Sequence, residues 1–301
     1  GSNKMNINIR EMMTHQAGLR DWIPFFQKTM KRGEYLPGIY SKLRSSEFPL
    51  RVANKLFITK SYTDTIWKNV IESPLGKKME YKYSDLGLLF MWRIVERKTK
   101  MPIEEYVQKT FYLPLGLGTM GFRPRERFPL SRLVPTEYDI KFRKQLVLGD
   151  VHDPAAAMMG GVAGHAGLFS NANDLGIMMQ MFLQKGEYAG RRYIDTATVN
   201  EFTKCQFCAD PTKGIVEGNR RGIGFDKPET DPKKDSPICD CVSYLSFGHQ
   251  GFTGTITWAD PEKQLVYVFL SNRVYPDADN NKITKMGIRS GILRIIYGVM
   301  K

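Results

Sequence analysis

The stretch SYLSFGHQGFTGTITWADPEKQLVYVFLS, residues 243–271, decides the fold. Three strand-like runs lie in it, over residues 243–247, 253–259 and 265–271, where β-branched and aromatic residues recur. The tetrapeptide Asp260-Pro261-Glu262-Lys263 suits the turn between two antiparallel strands. The last third of the chain is therefore predicted to form an antiparallel sheet.

Helical patterns lie on both sides of this stretch. We expect helices over residues 9–15, 64–72, 85–98, 102–111, 172–184 and 282–300, and an extended basic excursion over residues 123–153. Asn8 and Ser84 stand where the first and third of these helices would be capped. Helices that pack on an antiparallel sheet predict an α/β or α+β sandwich. Residues 20–200 would be its helical or irregular part, and residues 220–301 the sheet and the C-terminal helix.

The composition excludes several classes of protein. The 301 residues are 42% hydrophobic and 25% charged, which excludes wholesale disorder. No apolar run approaches the roughly 18–20 residues of a membrane span, so none is predicted. The formal net charge is +13, but the basic residues are scattered and no nucleic-acid-binding motif accompanies them. We therefore expect no nucleic-acid partner, and an anionic cell-envelope setting suits the charge at least as well.

Tyr83-Ser84-Asp85 is the first of three segments that could carry chemistry. It directly precedes a predicted helix, whose N-terminal N–H groups favour an anion. Tyr83 could then act as a general base, with Ser84 or Asp85 orienting a neighbour. The alternative is ordinary helix capping by Ser84, with Tyr83 as a packed aromatic residue.

The other two segments are glycine-rich and contain a histidine. Gly248 and Gly251 bracket His249, which would leave room for a substrate against a strand edge where N–H groups could hold an oxyanion. The alternative is a glycine-rich hairpin with a solvent-exposed histidine. Residues 160–167, around His165, match neither a phosphate loop nor a dinucleotide fingerprint. They form either a structural loop or a substrate-facing wall.

Together these segments resemble the serine β-lactamase and penicillin-binding-protein family, in particular its class C-like esterases and peptidases. The matching stretches follow the family's order along nearly the whole chain: NIREMMTHQAGL (residues 8–19), Tyr83-Ser84-Asp85, Pro114-Leu115-Gly116, AGLFS (residues 166–170) with Asp174-Leu175, and His249-Gln250-Gly251. The resemblance implies a β-lactamase/transpeptidase-like fold, with an antiparallel sheet flanked by helices and a mainly helical subdomain. It also implies acyl-enzyme hydrolysis of an ester, amide, lactam or D-amino-acid peptide, with no required cofactor.

The resemblance further implies roles for individual residues. Tyr83 would assist proton transfer to and from a serine nucleophile, and Asp85 would replace the usual asparagine as a polar substrate contact. His249 would take the place of a motif lysine, and the backbone N–H of Phe252 would supply one oxyanion donor. The other implied substrate contacts are Ser84, His165, Gln250 and Gly251.

One family motif is missing from the sequence. The nucleophile of the family lies in Ser-x-x-Lys, where helical spacing holds the amine beside the hydroxyl, but no serine here has a lysine three residues later. In the family this motif precedes the segment that resembles residues 8–19, and Gly1-Ser2 looks like the remnant of a cleaved tag. We therefore expect residues 1–301 to be a single serine hydrolase domain that is truncated at its N-terminus and inactive alone.

A narrower resemblance concerns Val151-His152-Asp153, residues 160–170 and residues 271–276. They are similar to the C-terminal serine hydrolase domain of bacterial fusion proteins with an upstream glycoside hydrolase family 3 β-N-acetylglucosaminidase-like domain. This implies a periplasmic or cell-envelope location, a covalently linked glycosidase and peptidoglycan fragments as substrate. A different class of function stays open, namely a non-catalytic module that binds cell-wall peptides or docks onto the glycosidase domain.

The four cysteines form two close pairs, Cys205-x-x-Cys208 and Cys239-x-Cys241. Three states are open: a structural zinc site, disulfides that cross-link the two pairs in an oxidising compartment, or free buried thiols. Either the zinc site or the disulfides would anchor the polar loop over residues 209–238. His15 and His152 are expected to be hydrogen-bonding residues rather than metal ligands.

Overall fold

The computed structural model describes residues 2–208, 219–229 and 236–300, and the chain divides into two compact units. The first unit comprises Gly1–Lys109, Gly121–Phe169 and Tyr275–Ala278. The second unit comprises Thr110–Met120, Ser170–Val274 and Asp279–Lys301. The chain thus contributes early and late segments to both units. The single-domain organisation of residues 1–301 stays a prediction.

The first unit combines helices with short antiparallel strands. Its helices are α1 (Ile9–Met13), α2 (Ser61–Glu72), α3 (Asp85–Thr99), α4 (Ile103–Val107) and α5 (Pro154–Met158), and its 3-10 turns are Phe25–Thr29, Pro124–Glu126 and Leu130–Arg132. Its strands are β1 (Met30–Lys31), β2 (Glu34–Tyr35), β3 (Tyr40–Ser41), β4 (Leu50–Ala53), β5 (Leu56–Ile58), β6 (Pro135–Asp139) and β7 (Gln145–Leu148). They pair as β1-β2, β3-β5-β4 and β6-β7.

Helix α3 organises the core of the first unit. Ser84 caps it by accepting a hydrogen bond from the N–H of Leu86, as its sequence predicts, and Lys100 ends it in the left-handed conformation. Leu86 and Leu89 are buried on one face of the helix and belong to the main hydrophobic cluster of this unit. Because the cap and the buried face both lie at its start, α3 begins at a fixed position, and its first residue is Asp85.

The sequence placed several elements of the first unit imprecisely. Helix α1 is capped by Asn8 as expected, but it ends at Met13 because His15 has a left-handed backbone with φ of 60°. Helix α2 begins three residues earlier than predicted, and α4 passes into a π-helical turn, Gln108–Tyr112. The extended excursion predicted over residues 123–153 is in part wrong, because two 3-10 turns and the hairpin β6-β7 occupy it.

The second unit contains the antiparallel sheet. Its helices are α6 (Ala172–Leu183), α7 (Thr196–Thr203), α8 (Lys282–Lys285) and α9 (Ile288–Val299). Its strands are β8 (Glu187–Tyr188), β9 (Arg191–Arg192), β10 (Phe247–Gln250), β11 (Ile256–Asp260) and β12 (Leu265–Phe269). The main sheet has the order β10-β11-β12, and β8 pairs with β9.

Alternating residues of β11 face two different helices. Ile256 and Trp258 pack in one cluster with Leu293 of α9. Ala259 packs in another with Met179 of α6. Because successive side chains of a strand point to opposite faces, the two helices cover the two sides of the sheet. The predicted antiparallel sheet flanked by helices is confirmed within this unit.

Two predictions at the ends of this region are wrong. The first strand begins at Phe247 and not at residue 243, because Ser243 donates hydrogen bonds to the Asp260 carboxylate through its N–H and its hydroxyl, which holds residues 243–246 in a turn. The single helix expected over residues 282–300 is divided at Gly287, which has φ of 58°. No helix in the described ranges has both the length and the apolar character of a membrane span.

The cysteines pair within each motif. Cys205 forms a disulfide with Cys208, and Cys239 forms one with Cys241, with Cα–Cα distances of 5.8 and 5.2 Å. Cross-links between the two pairs, one of the three states that the sequence left open, are therefore not formed. A sulfur in a disulfide is not the thiolate that zinc binds, so these cysteines hold no zinc in this state. Most of the loop between the pairs lies outside the described residues.

Candidate active site

Ser84 is occupied by backbone partners at the start of α3. Its hydroxyl donates to the carbonyl of Arg20 at 2.5 Å while it accepts from Leu86, and its N–H donates to Nδ1 of His15 at 3.1 Å. Its exposed fraction is only 1%. The structure thus gives Ser84 the capping role that the sequence left open, and it provides no free hydroxyl for the substrate contact that the resemblance implied.

Tyr83 stands beside this cap and remains accessible. Its ring lies against the buried imidazole of His15, with 4.2 Å between the ring centroids and a tilt of 30°. The residue is 38% exposed. His15 therefore supports one face of the phenol ring, and its left-handed backbone follows directly from the end of α1. This supporting role for His15 was not predicted, because 68 residues separate it from Tyr83 and only the fold brings the two together.

Asp85, Asp153 and His165 form a compact group of ionisable side chains in the same unit. Nε2 of His165 lies 2.8 Å from Oδ1 of Asp153, which also caps α5 by accepting from the N–H of Ala156 at 2.7 Å. Asp85 is the first residue of α3. The sequence singled out Asp85 and His165 separately. Asp153 was noted only within a motif, although an aspartate before a helix-opening proline is a recognisable capping signal.

Electrostatics couples the three groups. Burial alone would lower the pKa of His165, but the hydrogen bond and charge of Asp153, together with Asp85, raise it above its usual value. Burial alone would raise the pKa of Asp153, but His165 holds it below its usual value. Burial raises the pKa of Asp85 to about 6, with His165 opposing and Asp153 adding to the rise. The protonated imidazole of His165 and the carboxylate of Asp153 therefore stabilise each other.

These side chains are also the group in the described ranges whose ligand atoms are close enough to hold a metal ion, since all lie within 4.8 Å of one another. A cation would compete with the proton on Nε2 of His165 that binds Asp153. The hydrogen bond between His165 and Asp153 already satisfies that contact, so the geometry is that of a hydrogen-bonded cluster.

The glycine-rich loop explains how His165 reaches α3. A Cβ on Gly164 would collide with the carbonyl of Leu88 and approach Trp92, both on α3. Only glycine permits this approach, which places the next residue, His165, beside the start of the helix. The structural and the substrate-facing interpretations of residues 160–167 are therefore compatible, because the tight loop is what positions the histidine.

In the second unit His249 lies on β10, paired in register with Thr257. Its Nδ1 donates to the carbonyl of Gln250 at 2.8 Å, and its Nε2 lies 3.4 Å from a guanidinium nitrogen of Arg221. Burial, reinforced by the charge of Arg221, lowers the pKa of His249 to about 4. The imidazole is therefore neutral at neutral pH. It does not supply the positive charge that a lysine would carry in this place.

The charged side chain beside His249 is Arg221. It is buried, forms an ion pair with Asp226, and lies on a segment that pairs with β10 through a bridge between Asp226 and Gly248. Guanidinium stays charged throughout the accessible pH range. Nothing in the sequence indicated Arg221, because its position beside His249 depends on this non-local bridge.

The glycines around His249 do not create room for a substrate. A Cβ on Gly248 would collide with the carbonyl of Thr257 and the ring of Trp258, and one on Gly251 would collide with the Thr255 hydroxyl. They are required because neighbouring groups fill the space. Beyond them the Phe252 side chain is 66% exposed, and the guanidinium of Arg273 lies 4.5 Å from the centre of its ring.

The comparisons with known proteins agree with this architecture. The family model for β-lactamase matches residues 1–286. A putative D-alanyl-D-alanine carboxypeptidase of Salmonella schwarzengrund is 35% identical over 259 residues, which is 80% of this chain and 56% of that protein. A Salmonella typhi protein of the same description is 34% identical over the same coverage. The chain thus spans a little over half the length of these relatives.

Solved structures show the same fold. A β-lactamase from Mycobacterium bovis is similar with a TM-score of 0.54 and 16% identity, over 99% of this chain and 76% of that one. A penicillin-binding protein homologue from Caulobacter crescentus has a TM-score of 0.53 and 16% identity, over 90% of this chain and 67% of that one. These matches confirm the β-lactamase/transpeptidase-like fold predicted from the sequence. The chain belongs to the β-lactamase family of serine hydrolases.

Proposed function

We propose that this chain is part of a serine hydrolase that forms an acyl-enzyme with an ester, amide or D-amino-acid peptide during peptidoglycan turnover. The observation that carries the proposal is the accessible Tyr83 phenol, supported by His15 at the start of α3. The names of the Salmonella relatives support a peptide substrate that contains D-alanine. A periplasmic or cell-envelope location and a linked upstream glycosidase belong to the same proposal.

Tyr83 is the general base and acid of the proposed reaction. It takes the proton of the attacking serine hydroxyl and returns it to the leaving group, so that protons balance over acylation. Asp85 contacts the substrate. Since the pKa of this residue is about 6, it is mostly a carboxylate at neutral pH and can accept a hydrogen bond from a substrate N–H.

Further proposed roles belong to residues of the second unit. Neutral His249 offers a ring nitrogen for hydrogen bonding, and Arg221 provides a fixed positive charge beside it. The backbone N–H of Phe252 is one oxyanion donor, and Gln250 and Gly251 complete the strand edge. Because donors of this kind act where charge develops, they stabilise the tetrahedral intermediate more than the substrate.

The nucleophile itself is not among these 301 residues, because no Ser-x-x-Lys occurs in them. We propose that a segment outside this sequence supplies it and that the present chain is inactive alone. The decisive experiment treats a protein that includes the natural upstream residues with a fluorophosphonate or penicillin probe and measures its intact mass. The 301-residue chain is the matched control.

An adduct on the longer protein alone supports the proposal, and peptide mapping then identifies the modified serine. An adduct on the 301-residue chain contradicts the placement of the nucleophile. If neither protein is labelled, the proposed acyl transfer is contradicted, and the result favours the second candidate function, a non-catalytic module that binds cell-wall peptides or docks onto the glycosidase.

A further inference from the structure

A cavity of about 130 Å³ in the first unit is lined by arginines. Four of them contribute to its wall: Arg44, Arg51, Arg123 and Arg125. The acidic residues of the lining are Glu126 and Asp150, and Glu104 pairs with Arg123, so four positive and three negative side chains leave an excess of one positive charge. Such an excess in a concave site favours a bound anion.

Two of the arginines are already neutralised by carboxylates. Arg123 lies 2.7 Å from Glu104, and Arg125 lies 2.9 Å from Asp150. These pairs hold part of the wall in place, and Arg125 also donates to the carbonyl of Leu148. They leave little charge for a ligand.

Arg44 and Arg51 are in a different state. Arg44 donates through Nε to the carbonyl of Pro49 at 3.2 Å, and Arg51 lies with its guanidinium 4.9 Å from the centre of the Phe57 ring. Over the described ranges, no carboxylate lies within 4 Å of either guanidinium. Each contact orients the side chain, but Arg51 also interacts electrostatically with Asp150, so its charge is compensated in part.

Gly149 allows the stem of Arg125 to lie against the backbone, whereas Gly161 leaves ordinary contact space beside the stem of Arg123. Gly161 has φ of 86°, and a Cβ there would lie 3.5 Å from Cγ of Arg123. Gly149 has φ of 71°, and a Cβ there would come within 2.7 Å of Cγ of Arg125. Larger residues at Gly149 would displace the stem, so the wall is built around this position.

We propose that this cavity binds a compact oxyanion, with Arg44 and Arg51 as the recognising cations. The planar guanidinium fork matches a carboxylate or a phosphate, and two forks without a direct ion pair in the described ranges suit such a group at one cavity. The ligand is the carboxylate of an acidic peptide or a phosphate group. Val151, in the lining, lies two residues before Asp153, and Gly161 four before His165, so the cavity shares two chain segments with the candidate site.

This inference goes beyond the proposed function, because anion binding requires no nucleophile and can be measured on the 301-residue chain. Calorimetric titration at low ionic strength compares acetyl-glutamate amide, its uncharged counterpart acetyl-glutamine amide, and inorganic phosphate. We expect the glutamate derivative or phosphate to bind and the glutamine derivative to bind at least tenfold more weakly. Preference for the glutamate derivative identifies a peptide carboxylate as the source, and preference for phosphate identifies a phosphate group.

Variants then locate the site. Arg51→Gln and Arg44→Gln should each weaken anion binding about tenfold or more, the loss expected for one charge-assisted hydrogen bond. Arg51→Lys retains the charge, so its anion affinity should lie between those of the unmodified chain and Arg51→Gln. Arg97→Gln is the matched control, because it removes the same charge from an exposed position of α3, and it should bind like the unmodified chain. The proposal is overturned if the unmodified chain binds no anion. It is also overturned if folded Arg44→Gln and Arg51→Gln bind the anion as tightly as the unmodified chain does.

Discussion

Replacing Asp85 by asparagine removes a charge from the start of α3 while keeping the shape of the side chain. Burial raises the pKa of Asp85 from 3.8 to about 6, and a group whose pKa is raised by folding binds protons more tightly in the folded state. The sign follows directly. The stability that the aspartate confers is greatest below its unfolded pKa and is lost as the pH rises through about 6.

The magnitude comes from the same two values. A difference of about two pH units corresponds to about 3 kcal/mol at neutral pH. Solvent around the partly exposed Asp85 reduces this destabilisation by the carboxylate. The dipole of α3 also favours an acid at its first residue by about 0.3–1 kcal/mol. We therefore expect Asp85→Asn to be more stable than the unmodified chain by about 1–2 kcal/mol at pH 7.5. Near pH 4 the gain should vanish.

Urea unfolding followed by tryptophan fluorescence measures this difference. Trp67 and Trp92 lie in the same unit as Asp85, so the signal reports on the relevant part of the chain. Asp64→Asn is the matched control, because Asp64 is exposed on α2 and its replacement should change stability little at any pH. A variant at Asp85 that is less stable at pH 7.5, or a stability difference independent of pH, would refute the reasoning.

The remaining predictions concern other residues of the site. In the protein that includes the nucleophile, Tyr83→Phe should slow acylation by about 10²-fold or more, and near-native labelling rates would exclude its role in proton transfer. Arg221→Gln should raise the pKa of His249 in an NMR titration, and an unchanged titration would show that burial alone lowers it. Gly164→Ala should lower stability by about 1–3 kcal/mol in thermal unfolding, because the added methyl group meets the α3 backbone. Gly176→Ala, with open space around it on α6, is its control and should be neutral or stabilising.

Local signals allowed the elements that carry the site to be predicted. The Ser84 cap and the apolar stripe of α3 depend on residues within one or two turns, so the start of that helix was identified correctly. The family motifs likewise singled out Asp85, His165 and His249. In contrast, the partners Asp153 and Arg221 depend on contacts that only the folded chain creates. The sequence also could not show why Gly248 is required, because the strand that fills the space beside it comes later in the chain.

The two groups of candidate residues respond differently to pH. In the second unit His249 is neutral down to about pH 4, and Arg221 keeps its charge, so this group has a constant charge across the neutral range. In the first unit Asp85 titrates near pH 6, and Asp153 and Asp85 raise the pKa of His165 above its usual value. Of these two groups, the one that changes charge near pH 6 is therefore that of the first unit, through Asp85. The β10 edge at His249 is thus not pH-sensitive in the neutral range, because burial and a neighbouring guanidinium keep the histidine neutral.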